Sequence, residues 1–130
     1  MNDGQASVES VQSWVVEAAH AADDKQGHDI VVLDVADVLS ITDWFVVVDG
    51  VNERQVKTIA NEVERRVAHV GGPRPRRVEG MDARQWVLMD YGDFIVHVFS
   101  AETRAYYELE RLWSDVPRLD WSTETGQPSA

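Results

Sequence analysis

Apolar positions along this chain follow two rhythms, one of three to four residues and one of two or fewer, and together they mark out its elements. Val8, Val11, Val15, Ala18, Ala19 and Ala22 recur at helical spacing. The pattern predicts a helix from a Ser7 cap to about Gln26, stopped by Gly27, with Trp14 packed beside the stripe. Asp29 to Val35 carries the unbroken run IVVL of a buried strand. Ala36 to Thr42 is a short connection, and Trp44 to Val48 is a second apolar strand ending at Asp49-Gly50. Asn52 then caps a long helix in a capping-box pair with Gln55. Val56, Ile59, Ala60, Val63 and Val67 form its apolar stripe, and Glu62, Glu64, Arg65 and Arg66 its solvated side. Gly71-Gly72-Pro73-Arg74-Pro75 breaks the chain. Arg77 to Glu79 reads as a short strand, so that strand, helix and strand make a crossover unit. Ala101 to Trp113 is helical, with Ala105, Tyr106, Leu109, Leu112 and Trp113 on one side and Pro117 as the stop.

The stretch from Trp86 to Phe99, WVLMDYGDFIVHVF, organises the rest. Two apolar runs meet at Gly92-Asp93, and Gly at the first central position suits a type II′ hairpin turn. That turn sets Trp86 opposite Phe99, Leu88 opposite His97 and Asp90 opposite Ile95. Side chains alternate between faces. Val87, Met89, Tyr91, Phe94, Val96 and Val98 then make one face, apolar enough for a core. Trp86, Leu88, Asp90, Ile95, His97 and Phe99 make the other, which is largely apolar yet holds an acid and an imidazole. Such a mixture fits a surface that meets another protein. The fold class is α/β, a mixed β-sheet with helices packed on one face or on both. Residues 7–121 are expected to form a single domain, between a disordered 1–6 and a flexible tail at 122–130. The composition turns tail-like from Asp120.

Composition narrows the function. The chain carries 23 Asp and Glu against 12 Lys and Arg, a formal charge of −11. This argues against a domain that grips nucleic acid by its phosphates and suits a basic partner. An acidic protein with no charge-selected partner would give the same sum. Up to Asp49 the only Lys or Arg is Lys25, whereas Arg74, Arg76 and Arg77 cluster in the break. That cluster is too short to carry nucleic-acid binding, so direct contact with nucleic acid is expected to be slight. There is no cysteine, hence no disulfide, thiolate metal site or thiol nucleophile, which fits a reducing compartment. No apolar run is long enough to span a membrane. The first residues lack the basic start of a signal peptide, and the expected location is the cytoplasm.

Patterns that would carry catalysis are sparse. Paired acids at a strand end hold metal for nucleotidyl transfer, but here no Gly-Ser loop precedes two acids one residue apart, and Asp34 and Asp37 are wrongly spaced for one strand face. Walker, GxGxxG, HExxH and GxSxG patterns are absent. His20 and His28 have no second ligand at metal spacing. An Asp90–His97 diagonal pair has no nucleophile beside it. No enzyme, no metal and no cofactor are expected. The alternative, a residual magnesium-dependent nucleotidyltransferase, would rest on Asp90, Asp93 or Asp43.

The residues become specific when read as strings. WVLMDYGDFIVHVF followed by ETRAYYELERLW, and DIVVLDV followed by TDWFVVVDGVNERQVKTIANEV, closely resemble the ribosomal silencing factor (RsfS, Iojap-like) family, as does Glu79-Gly80. The likeness runs from about Val8 to Trp121. Trp44 stands where the family usually has Tyr or Phe, and Asn52 where it has a small hydroxyl residue. The resemblance implies a nucleotidyltransferase-like fold without the catalytic loop. It implies binding to ribosomal protein uL-fourteen on the intersubunit face of the large ribosomal subunit. Joining of the small subunit would be blocked there and translation silenced when nutrients fail. It further implies a link to late large-subunit assembly and, for some members, a homodimer. On this reading Trp86, Leu88, Ile95 and Phe99 form the docking patch, with Trp86 as anchor. Asp90 and Asp93 pair with basic side chains, Tyr91 packs or donates near the turn, and His97 sits at the rim. A homodimer would use the same face.

Overall fold

The computed structural model describes residues 7–107, 111 and 113–123, so the expectations for 1–6, for the side chains of Tyr106, Leu109 and Leu112, and for 124–130 lie outside it. Its elements are α1 (Val8–Asp24), β1 (His28–Asp34), β2 (Trp44–Gly50), α2 (Glu53–His69), β3 (Arg77–Glu79), β4 (Trp86–Asp90), β5 (Phe94–Ser100), α3 (Ala101–Tyr107) and β6 (Arg118–Leu119), then a short 3-10 turn at Trp121–Thr123. The caps act as their chemistry dictates. Ser7 accepts from the Ser10 N–H at 3.1 Å, and Asn52 from the Gln55 N–H at 2.9 Å. The Gln55 amide accepts from the Val51 N–H and donates to the carbonyls of Lys25 and Gln26, which ties the start of α2 to the end of α1.

The six strands form one mixed sheet in the order β3-β4-β5-β2-β1-β6. β2 and β5 pair in parallel at its centre, and every other neighbouring pair is antiparallel. β2, α2 and β3 do make a crossover, because β3 runs parallel to β2, but β4 and β5 lie between them.

Helices α1 and α2 cover one face. The core beneath them includes Val15, Val46, Val48, Ile59, Val63 and all six residues assigned to the inner face of the hairpin. The opposite face is covered unevenly. Leu33, Val35, Phe45, Val47 and Phe99 pack under Leu39, Trp113 and Val116. Beside them α3 is pinned by Arg104, whose guanidinium reaches the Asp49 carboxylate at 3.1 Å with both side chains buried. Burial pushes the Asp49 carboxyl above the usual carboxylate range, with Arg104 pulling the other way.

One expectation is corrected and one strand is added. Arg66 is no solvated charge: it reaches Glu17 at 2.7 Å and Asp24 at 2.6 Å, both on α1, and so clamps the two helices together. The chain after Pro117, where the composition turns tail-like from Asp120, adds the strand β6, which the apolar pattern does not mark. Leu119 pairs with Val32, and the Trp121 indole donates to the Ile30 carbonyl at 3.2 Å while meeting His20 edge-on.

Because Arg104 and Asp49 are both buried, deleting one strands the other. Arg104→Ala is expected to cost about 3 kcal/mol or more in urea unfolding; a loss below about 1 kcal/mol would mean the pair does not hold α3.

Candidate functional site

The hairpin has the register its alternation predicts: Trp86 opposite Phe99, Leu88 opposite His97, Asp90 opposite Ile95. Gly92 takes a φ of +89°, open to glycine at no steric cost, and the Tyr91 N–H donates to the Phe94 carbonyl at 2.9 Å. Asp90 shapes the turn, since its Oδ1 accepts from the Gly92 N–H at 2.8 Å. The far end of β4 is set by Gly80. Its φ is +90°, and a Cβ there would lie 2.0 Å from the Trp86 carbonyl oxygen. Any side chain at position 80 would push β4, and Trp86 with it, out of place.

The outer face of the hairpin carries a row of rings. Phe45 meets Trp113 and His97 edge-on at 5.3 and 4.6 Å, and Trp86 lies 4.9 Å from Phe99. The row runs from a covered end to an open one. Phe99 is fully buried and His97 nearly so, while Ile95 and Leu88 are half-buried and Trp86 is 37% exposed. Beyond Trp86 the short edge strand β3 presents exposed Arg77 and Glu79, paired with each other at 2.7 Å.

The eight candidate residues therefore separate. Trp86, Leu88, Ile95 and the exposed turn residue Asp93 line the open surface. Phe99 is sealed beneath the face and is not at the surface. Tyr91 points to the helix-covered side, stacks on Phe94 at 4.4 Å, and burial pushes its hydroxyl pKa up. Asp90 is half-buried, with Arg76 and Arg77 at 3.8 and 4.0 Å, so it already has basic neighbours from its own chain. The basic cluster of the sequence thus adjoins the acidic end of the hairpin, a proximity that follows from β3 pairing with β4.

His97 is not at the rim, and it does not pair with Asp90. Its Nδ1 accepts a hydrogen bond from the Trp86 indole Nε1 at 3.1 Å, and its Nε2 is buried with no partner. Burial pushes its pKa down to about 4, so the ring is neutral. Among the described residues no three acidic or imidazole side chains gather into a metal-holding group. No helix there is long and apolar enough to cross a membrane.

The neutral imidazole sets a pH signature. A free histidine titrates near 6.5 and this one near 4. Between those values the unfolded chain holds the extra proton, so the contribution of His97 to stability is lost as pH falls from about 6.5 to about 4. The full gap is worth about 3 kcal/mol. Urea unfolding of the wild type and His97→Phe at pH 7 and pH 4 isolates it: the wild type should lose up to that much more than the variant on acidification. An equal loss in both would contradict a buried neutral His97.

Comparison with known proteins shows the family. A family profile described as "Ribosomal silencing factor during starvation" (RsfS) matches residues 8–130. The ribosomal silencing factor RsfS of Bacillus subtilis is 42% identical over 103 residues, 79% of this chain and 86% of that protein. The mouse protein "Mitochondrial assembly of ribosomal large subunit protein 1" is 31% identical over 93 residues, 69% of this chain and 40% of its own length. A crystal structure from Chromobacterium violaceum superposes with a TM-score of 0.75 at 36% identity, covering 80% of this chain and 86% of the other. By sequence and fold alike, the chain belongs to the ribosomal silencing factor family, RsfS.

Proposed function

We propose that this chain silences ribosomes by occupying a surface, with no reaction. It docks on ribosomal protein uL-fourteen at the intersubunit face of the large subunit and keeps the small subunit from joining. Translation is thereby repressed when nutrients are short. The names of the bacterial relatives support silencing, and the name of the mouse relative supports a further part in large-subunit assembly. The bacterial relatives' naming as ribosomal silencing factors supports reading the protein as cytoplasmic.

One observation supports the docking face above others. The aromatic row on the outer face of the hairpin ends in a partly exposed Trp86, flanked by half-buried Leu88 and Ile95, while the opposite face of the sheet lies under two helices. Trp86 is the anchor and Leu88 and Ile95 its apolar surround. Exposed Asp93 is the carboxylate best placed to meet a basic partner, and the net charge of −11 steers in the same direction. Asp90, braced by Arg76 and Arg77, holds the turn and contributes at the margin. Phe99, Tyr91 and His97 act from beneath. A homodimer through the same face would bury Trp86 and compete with the ribosome.

Loss of an aromatic anchor typically costs about 2 kcal/mol or more, about thirtyfold in affinity. Trp86→Ala should lose at least that factor in pull-down with uL-fourteen and in binding to large subunits, with its fold intact by circular dichroism. Undiminished binding by the folded variant would remove the patch from consideration. Replacing Arg74, Arg76 and Arg77 together by Ala should change large-subunit binding little, and a loss as large as that of Trp86→Ala would point to RNA contact instead.

A further inference from the structure

Trp86 stands at the open end of this sheet face, 37% exposed, where a large side chain would ordinarily sample several rotamers. Two contacts with described residues hold it. Phe99 lies under the ring at 4.9 Å and a 32° tilt, and the indole N–H is held by His97 Nδ1 at 3.1 Å. His97 is itself buried, packed edge-on against Phe45 in the parallel core pair β2–β5. Its Nδ1 is free to accept because burial keeps the ring unprotonated. Its other nitrogen makes no hydrogen bond, so the imidazole directs its one polar contact at Trp86. A phenyl ring would fill the same space without leaving a buried nitrogen unsatisfied. The nitrogen that binds the indole is what the imidazole adds.

We infer that His97 is a positioning residue: through Nδ1 it presets the orientation of Trp86, so that the docking face meets its partner with the anchor already ordered. This rests on the reading of Trp86 as the anchor. Ordering one large side chain on binding costs about two- to tenfold in affinity, which a preset indole avoids.

Two substitutions separate this role from mere packing. His97→Phe keeps the filling and removes the acceptor. His97→Asn returns an oxygen near the Nδ1 position but leaves the space of the outer ring empty, at a cost in stability. Affinity of each full-length variant for purified large subunits is measured beside the Trp86 indole N–H signal in 15N NMR, assigned through Trp86→Phe. His97→Phe should lose about two- to tenfold in affinity and shift the indole signal toward that of a solvent-exposed tryptophan. His97→Asn, though less stable, should bind more tightly than His97→Phe. Wild-type affinity in His97→Phe, or affinities that simply follow stability, would overturn the positioning role. If Trp86→Ala still loses binding, the docking face survives that result. Unchanged binding by Trp86→Ala would overturn the docking face itself and the role of His97 with it.

Discussion

The register of the hairpin from Trp86 to Phe99 is the constraint from which the remaining architecture follows. A one-residue slip would exchange its two faces, placing Asp90 and His97 under the helices and Val87, Met89 and Val98 in the open. Three local features prevent this: the positive φ of Gly92, the Asp90 carboxylate on the Gly92 N–H, and the close passage of Gly80 over the Trp86 carbonyl. The parallel pairing of β5 with β2 then carries that register to the centre of the sheet.

With the register set, the two faces differ in what covers them. One lies against α1 and α2, which are joined by the Arg66 clamp and the Gln55 bridge. The other is closed over β1 and β2 by Leu39, Trp113, Val116 and α3, and opens toward β3 and β4. Its polar groups are disposed accordingly. The Arg104–Asp49 pair lies at the covered end, the imidazole of His97 at mid-row, and the exposed Trp86 at the open end. Burying an ion pair and a neutral histidine is expensive. In this fold the ion pair pins α3 over the covered end, and the histidine accepts the Trp86 indole N–H toward the open one.

Much of this was legible in the sequence. Helical stripes, caps and the Gly-Asp turn located α1, α2 and the hairpin to within a residue or two, because each signal is local. What escaped depends on distant partners. Arg66 sits at the edge of a polar helix face, and its acids on α1 are 42 and 49 residues away. Two residues after Pro117 become a strand only because Val32 and Leu33 offer an open edge. The assignment of His97 failed by a choice between diagonals. On one face of an antiparallel pair, His97 has both Trp86 and Asp90 as diagonal neighbours. β3 brings Arg76 and Arg77 to Asp90 and leaves the imidazole to the indole. Alternation placed Phe99 on the right face, but the depth of its burial depends on α3 and the chain beyond it.

The central claim is that the open end of this sheet face is where the protein meets the large ribosomal subunit. A cryo-electron microscopy map of the chain bound to purified large subunits tests it most directly. The account predicts density for Trp86, Leu88 and Asp93 against a basic ribosomal protein on the intersubunit face, with α1 and α2 turned away. Density that seats the chain by the outer surface of α1 and α2, or leaves Trp86 facing solvent, would contradict it.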